Sequence, residues 1–142
     1  MKTNDNLTID NCLCFALYKT SREFIGLYKP YLDELGITYT QYITLQILWE
    51  KDGVTVKSLG ERLHLDSGTL TPLLKRLEAG QMVQRVRDRL DERNVLIFLT
   101  DKGRGLKART IDIPGHVLGS TCLTEQEAIV LKETLKQITK KA

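Results

Sequence analysis

Two groups of residues in this chain have types and spacings suited to chemistry. The first group is the thiols, Cys12, Cys14 and Cys122, the three cysteines of the sequence. An odd number in a reducing compartment is not a structural disulfide framework. Cys14 lies early in a stretch where Leu13, Leu17, Phe24 and Leu27 recur at helical spacing. Positions 14, 18, 21, 25 and 28 would share one face of that helix, which points Cys14, Tyr18 and Tyr28 in a related direction. A thiol near a helix N-terminus, or one given hydroxyl donors, has its thiolate stabilised. Thiolates attack the weak O–O bond of a peroxide and become sulfenic acid. Cys14 is therefore either a reactive thiol or an inert residue filling space in an apolar helix.

The second group is hydroxyls followed by arginines. Residues 65–78 read Leu-Asp-Ser-Gly-Thr-Leu-Thr-Pro-Leu-Leu-Lys-Arg-Leu-Glu. Asp66 or Ser67 caps a helix here, and Leu70, Leu73, Leu74 and Leu77 form its inward stripe. Such a helix, with Ser67 and Thr69 in its first turn, can enter the major groove of DNA, and a cationic hairpin beside it can reach the neighbouring minor groove. The hairpin is expected from residues 82–87 and 95–99, which flank a charged turn. Arg93 at its tip suits a narrow minor groove, where negative potential is enhanced. Asp91 cannot attract phosphate, so it orients an arginine, Arg93 or Arg85. A solvated charged turn is the competing account of the same residues. Lys57 and Arg62 could add phosphate contacts, though a solvated face accounts for them better.

The elements that must position these groups follow from punctuation and periodicity. A helix is expected over about 10–29, ended by Pro30. Gly36 precedes a second helix over 40–51, Asp52-Gly53 makes a turn, and a short helix follows over 56–63. The helix after Asp66 closes at Gly80. Beyond the hairpin, 100–118 is expected to be helical with an interruption at Pro114-Gly115. Thr124-Glu125-Gln126-Glu127 opens a last helix running through Lys140, with Ile129, Leu131, Leu135 and Ile138 as its stripe.

The fold class is mainly α with a small β-hairpin wing, a winged helix-turn-helix occupying about 36–100. The chain forms a single domain over 1–142, in which the outer segments, about 7–35 and 101–142, exceed what a small winged domain needs. Surplus apolar helix at both ends implies a homodimer, whose two reading helices would lie about 34 Å apart on a palindromic duplex.

Composition bounds the remaining classes. The chain has 142 residues, 42% of them hydrophobic, and a formal charge of +3. That charge is mild, so the argument rests on its distribution: six basic against four acidic residues between Lys75 and Arg93. A polar N-terminus and the lack of any long apolar run point to a cytoplasmic protein with no membrane contact. No Ser–His–Asp set, phosphate loop or carboxylate pair argues for an enzyme, and no cofactor or metal is expected. A metal-responsive regulator would draw on Cys12, Cys14, Cys122, His64 and His116, whose spacing is poor for zinc. A regulator responding to a small phenolic ligand and a thiol peroxidase complete the competing classes.

The helix at 65–78 and the Asp91-Glu92-Arg93 wing resemble those of the MarR family of dimeric transcriptional regulators. More narrowly, the chain resembles the organic hydroperoxide resistance regulators (OhrR). The likeness runs from Leu7 to the last helix and includes Leu13-Cys14-Phe15-Ala16-Leu17-Tyr18, Tyr28-Lys29-Pro30, Ile37-Thr38-Tyr39-Thr40-Gln41-Tyr42 and Asp112-Ile113-Pro114-Gly115. It implies that Ser67, Thr69 and Thr71 face bases or nearby phosphates, that Arg76 holds the DNA backbone and that Arg93 probes the minor groove. It also implies that Cys14 senses organic hydroperoxide, that Tyr28 and Tyr39 bond to it across the dimer, and that Cys122 of the other subunit resolves the sulfenic acid. Cys12 departs from the family pattern, and a low-molecular-weight thiol is another resolver. The implied activity is repression at a double-stranded operator, relieved on oxidation.

Overall fold

The computed structural model describes residues 8–140. Leu7, the expected first residue of the outer helical arm, lies outside them. The chain forms two compact units, one running through Arg109 and the other beginning at Thr110.

The first unit opens with a 3-10 turn at Ile9–Asn11 and α1, Leu13–Gly26. The expected continuous helix to residue 29 is two helices instead. Tyr28 lies beyond the end of α1, so the shared face of Cys14 and Tyr18 does not continue to it. Pro30 stands in the first turn of α2, Lys29–Asp33, where its missing N–H is no loss and its fixed φ suits a helix start. Gly36 then takes a φ of +69°, and α3 runs over Tyr39–Glu50. Thr38 caps α3 reciprocally: its Oγ1 accepts from the Gln41 N–H at 3.3 Å, and Gln41 Oε1 accepts from the Thr38 N–H at 2.9 Å. Six residues of α3 are buried, among them Leu45, Ile47 and Leu48, because α3 packs against α2, the strand Val95–Leu99 and the two helices that follow it.

Those helices are α4, Val56–Leu63, and α5, Ser67–Ala79. The turn between them hinges on His64, whose φ of +55° is left-handed. Asp66, not Ser67, is the N-cap of α5, accepting from the Thr69 N–H at 2.8 Å. All four stripe leucines are buried, at 5% exposure or less. Gly80 ends the helix with a φ of −75°, and the left-handed residue is its neighbour Gln81, at +61°.

The wing is larger than a two-stranded hairpin. Strands β2, Val83–Arg87, and β3, Val95–Leu99, pair antiparallel from Val83↔Leu99 to Arg87↔Val95. A third strand, β1, Val54–Thr55, adds to the far edge of β3, giving the order β1-β3-β2. Two residues are too few to show alternation, so β1 leaves no pattern to read. Asp52 ties this corner together, because its Oδ1 accepts the N–H of Gly53 at 3.0 Å and of Leu99 at 2.8 Å.

Over 100–118, where a helix interrupted at Pro114-Gly115 is expected, there are two helices, and the break falls earlier, at residues 111–112. The first, α6, Asp101–Thr110, begins against the wing root. Trp49 Nε1 donates to the Gly103 carbonyl at 2.9 Å, and the Thr100 N–H donates to the Met82 carbonyl at 3.0 Å. A side chain at Gly103 would overlap that same Met82 carbonyl.

In the second unit, α7 covers Ile113–Gly119 with Pro114 in its first turn, and α8 covers Glu125–Ile138, ending two residues before the expected Lys140. Thr124 caps α8 by accepting from the Glu127 N–H at 3.1 Å. No residue of α1 or α8 is buried. Ile129, Leu131, Leu135 and Ile138, the expected apolar stripe, are all more than two-fifths exposed. No helix among the described residues is long and apolar enough to cross a membrane.

Tyr42 is the one tyrosine of the core, 3% exposed, with its hydroxyl accepting from Gln46 Nε2 at 2.9 Å. Burial, and then the neighbouring Tyr28 and Tyr39, push its pKa up from 10.0 to about 12, against the Gln46 bond. A folded pKa above the unfolded one means the neutral phenol's stabilisation is complete below pH 10 and is lost as pH rises towards 12. Urea unfolding midpoints should therefore fall between those two pH values in the wild type, and less steeply in Tyr42→Phe. Gly103→Ala should cost about 2 kcal/mol or more, because backbone must move to admit the methyl. Gly105→Ala on the same helix, with nothing within 4 Å of the new carbon, should be neutral or gain up to about 1 kcal/mol. Equal unfolding midpoints for these two variants would remove the close approach of α6 to Met82 from this account.

Candidate nucleic-acid interface and thiol site

The inward pull of the leucine stripe decides what α5 shows to solvent. With Leu70, Leu73, Leu74 and Leu77 buried, Ser67, Gly68 and Thr69 are exposed at the N-terminus and Thr71 is half-buried. Lys75 and Arg76 are exposed further along. The Asp66 carboxyl lies below its usual pKa because Thr69 bonds to it through side chain and backbone. It therefore stays ionised and keeps the cap at neutral pH. Pro72 has no N–H for the Gly68 carbonyl, which leaves an acceptor at the exposed end of the helix.

The hairpin tip is braced by its own polar groups. Asp91 Oδ1 accepts from the Arg93 backbone N–H at 3.1 Å and from Arg93 Nε at 3.2 Å. Asp91 thus orients Arg93 rather than Arg85. Arg93 still projects, with its side chain 91% exposed. Arg85, Arg87 and Arg89 are exposed as well, and Arg87 Nη1 is anchored on the Glu92 carbonyl at 2.7 Å. Lys57 is exposed, whereas Arg62 is engaged with Glu50 at 2.8 Å. The first unit thus carries an exposed hydroxyl-bearing helix end and an arginine-bearing wing.

The thiols occupy a different part of the chain. Cys12 is the N-cap residue of α1, so Cys14 is the second residue of the helix. Cys12 is half-buried, its Sγ donating to the Thr8 carbonyl at 3.2 Å. Cys14 is exposed, not buried as the inert account of it requires. Tyr18 is also exposed, and its hydroxyl accepts from Arg22 Nη1 at 2.5 Å. Cys122, in the second unit, is exposed in the loop between α7 and α8, where Thr121 Oγ1 accepts the Leu123 N–H at 3.2 Å.

Tyr28 and Tyr39 meet edge to face with ring centres 5.3 Å apart. Tyr42 joins them at 5.8 and 6.2 Å, and Trp49 lies 6.4 Å beyond Tyr42. Burial raises the pKa of both Tyr28 and Tyr39, so each stays a neutral hydrogen-bond donor. Among the described residues of the single chain, neither tyrosine hydroxyl hydrogen-bonds Cys14. Sequence reasoning missed Tyr42 as the centre of this cluster. The spacing of Tyr39, Tyr42, Gln46 and Trp49, three and four residues apart along α3, was the available signal. Among the described residues, no group of three or more His, Cys, Asp or Glu side chains gathers to hold a metal.

Known proteins are similar to this chain in sequence and fold. Residues 26–110 match the family model described as transcriptional regulator SarA/Rot. The organic hydroperoxide resistance transcriptional regulator of Bacillus subtilis (strain 168) is 50% identical over 131 residues, covering 92% of this chain and 89% of that protein. AbfR of Staphylococcus epidermidis has been solved in several states. Reduced AbfR on DNA superposes with a TM-score of 0.77 at 40% identity, covering 91% of this chain and 90% of that one. Its overoxidised form, also on DNA, gives 0.76 at 38%, covering 92% of each chain. Its disulfide form gives 0.68 at 39%, covering 93% of each. A cysteine-to-serine mutant of Escherichia coli MarR on operator DNA gives 0.80 at 26% identity, covering 90% of this chain and 94% of that one. With a winged helix-turn-helix of this design and relatives of this closeness, the chain belongs to the MarR family of transcriptional regulators, among those related to the organic hydroperoxide regulators.

Proposed function

We propose that this protein is a thiol-based redox sensor acting in the cytoplasm. As a reduced homodimer it binds a palindromic operator and represses transcription, and it leaves that operator when organic hydroperoxide oxidises Cys14. The observation that carries this reading is the placement of Cys14. It is an exposed thiol on α1, a helix of 14 residues with none buried. Helices in water are held mostly by packing of an apolar face. A second copy of the chain, covering α1 and the exposed apolar side chains of α8, would supply that packing and place Cys14 at the seam.

In the proposed chemistry the Cys14 thiolate attacks the terminal oxygen of the hydroperoxide. The O–O bond breaks, the alkoxide takes a proton and leaves as alcohol, and Cys14 becomes sulfenic acid. Tyr28 and Tyr39, kept neutral by burial, would donate across the seam to the thiolate before the reaction. The thiol of Cys122 in the other subunit then displaces water from the sulfenic acid, and an intersubunit disulfide forms. Cα atoms in a disulfide lie about 4.4–6.8 Å apart. Closing that bond from a longer reduced separation would drag helices and alter the spacing of the two α5 helices on DNA.

The AbfR structures favour the bond itself as the trigger. AbfR is on DNA both reduced and overoxidised, so oxidation by itself need not release a protein of this type. By this reading Ser67, Thr69 and Thr71 approach base edges or phosphates, while Arg76 and Arg85 hold the backbone. Arg93, aimed by Asp91, enters the minor groove. No catalytic turnover is assigned: the peroxide is a signal, consumed once per oxidised thiol.

Two variants test the thiol assignments, with a duplex selected by the reduced wild-type protein from a random-sequence pool. Cys14→Ser should remain on that duplex after treatment with organic hydroperoxide; its release would remove Cys14 from the sensor role. Cys122→Ala, treated without added thiol, should give no disulfide-linked dimer on a non-reducing gel and should stay bound. An undiminished dimer band would assign the resolving sulfur elsewhere.

A further inference from the structure

The hairpin tip carries an apolar side chain that neither the fold nor the operator contacts above employ. Leu90 is 97% exposed, the most exposed large hydrophobic residue among the described residues. A single exposed leucine is common on protein surfaces. Leu90 is set apart by its mounting. Its N–H donates to Asp88 Oδ1 at 2.9 Å, and the Asp88 N–H donates to the Asn94 carbonyl at 2.9 Å. The Asn94 N–H in turn donates to the Asp91 carbonyl at 2.9 Å, and Asp91 holds Arg93. With Arg87 tied to Glu92, the tip from 88 to 94 is cross-braced by its own polar groups, which lowers the ordering cost of binding. Its apex is a leucine set between two exposed arginines, Arg89 and Arg93.

An apolar side chain between cations is complementary to one surface in particular. The minor groove is a slot of negative potential, deepest where it is narrow, and it draws arginine. Its walls are deoxyribose carbons, against which apolar side chains pack, and proteins that enter this groove commonly press such side chains into it. We propose that Leu90 is a further DNA-contacting residue, packing against the sugar walls of the minor groove and setting how deeply the wing seats. This rests on the assignment of the hairpin as a DNA-contacting wing. A leucine makes no counterion-releasing contact, so its contribution should be independent of salt, whereas that of Arg93 should not be.

The experiment uses the full-length reduced protein and the same selected duplex, with affinity measured across a range of salt concentrations. Leu90→Ala should bind roughly five- to tenfold more weakly, as expected for losing a partly buried isobutyl group. Its log–log salt slope should match the wild type, and Leu90→Met should recover affinity to within about twofold. Hydroxyl-radical cleavage of the sugars under the wing should rise in Leu90→Ala. Thermal midpoints should not change, because the side chain packs on nothing in the free protein. Wild-type affinity in Leu90→Ala, or a weakened complex with an altered slope, would overturn the proposal. Arg93→Ala separates the two levels: it should lower the slope by about one. A silent Leu90→Ala beside an effective Arg93→Ala defeats the leucine contact alone. Silence in both also defeats the wing assignment beneath it.

Discussion

The outward chemistry of the first unit depends on the burial of four leucines. Leu70, Leu73, Leu74 and Leu77 are each at most 5% exposed, and at roughly 2 kcal/mol apiece they outweigh any local preference of the short polar residues around them. Burial fixes the rotation of α5 about its own axis. Once that rotation is fixed, Ser67 and Thr69 have no choice but to face solvent, and Asp66 is left to close the open amides behind them. A helix rotated by one residue would bury a threonine without a partner and expose a leucine, a double cost that no surface bond offsets.

Much of this unit is legible in the sequence because its signals are periodic. The α5 stripe, the short α4 and the two longer strands each extend far enough for spacing to distinguish helix from strand. The differences fall where one residue decides the outcome. Pro30 and Pro114 have the look of stops, yet both stand in first turns, where the same missing N–H is harmless. Gly80 is the natural candidate for a left-handed turn, yet Gln81 takes it instead. The strand at Val54–Thr55 is defined by its partner, β3, and has no periodicity of its own. In both arms the helix stops a few residues before the proline, at Gly26 and at Thr110, and the proline opens the next helix instead of closing the last.

The thiol site is legible in residue type and not in geometry. That Cys14 sits near a helix start can be read from the spacing of Leu13 and Leu17. The aromatic cluster cannot, because it joins Tyr28, outside α1, to Tyr39 and Tyr42 on α3, across a left-handed glycine. The cluster matters for chemistry through its dryness. Partial burial raises the pKa of Tyr28 and Tyr39, so each hydroxyl can offer a proton without giving it up. A donor of that kind stabilises an anion beside it while remaining unchanged itself.

The first turn of α6 has a mechanical consequence. Trp49 holds the Gly103 carbonyl from one side, the Met82 backbone leaves no room for a side chain on the other, and Arg104 grips the end of β3 through the Leu99 carbonyl at 3.0 Å. A helix clamped at its root in this way has no slack there. Within this unit the start of α6 and the end of β3 can therefore shift only together, so the wing root inherits whatever position the first turn of α6 takes.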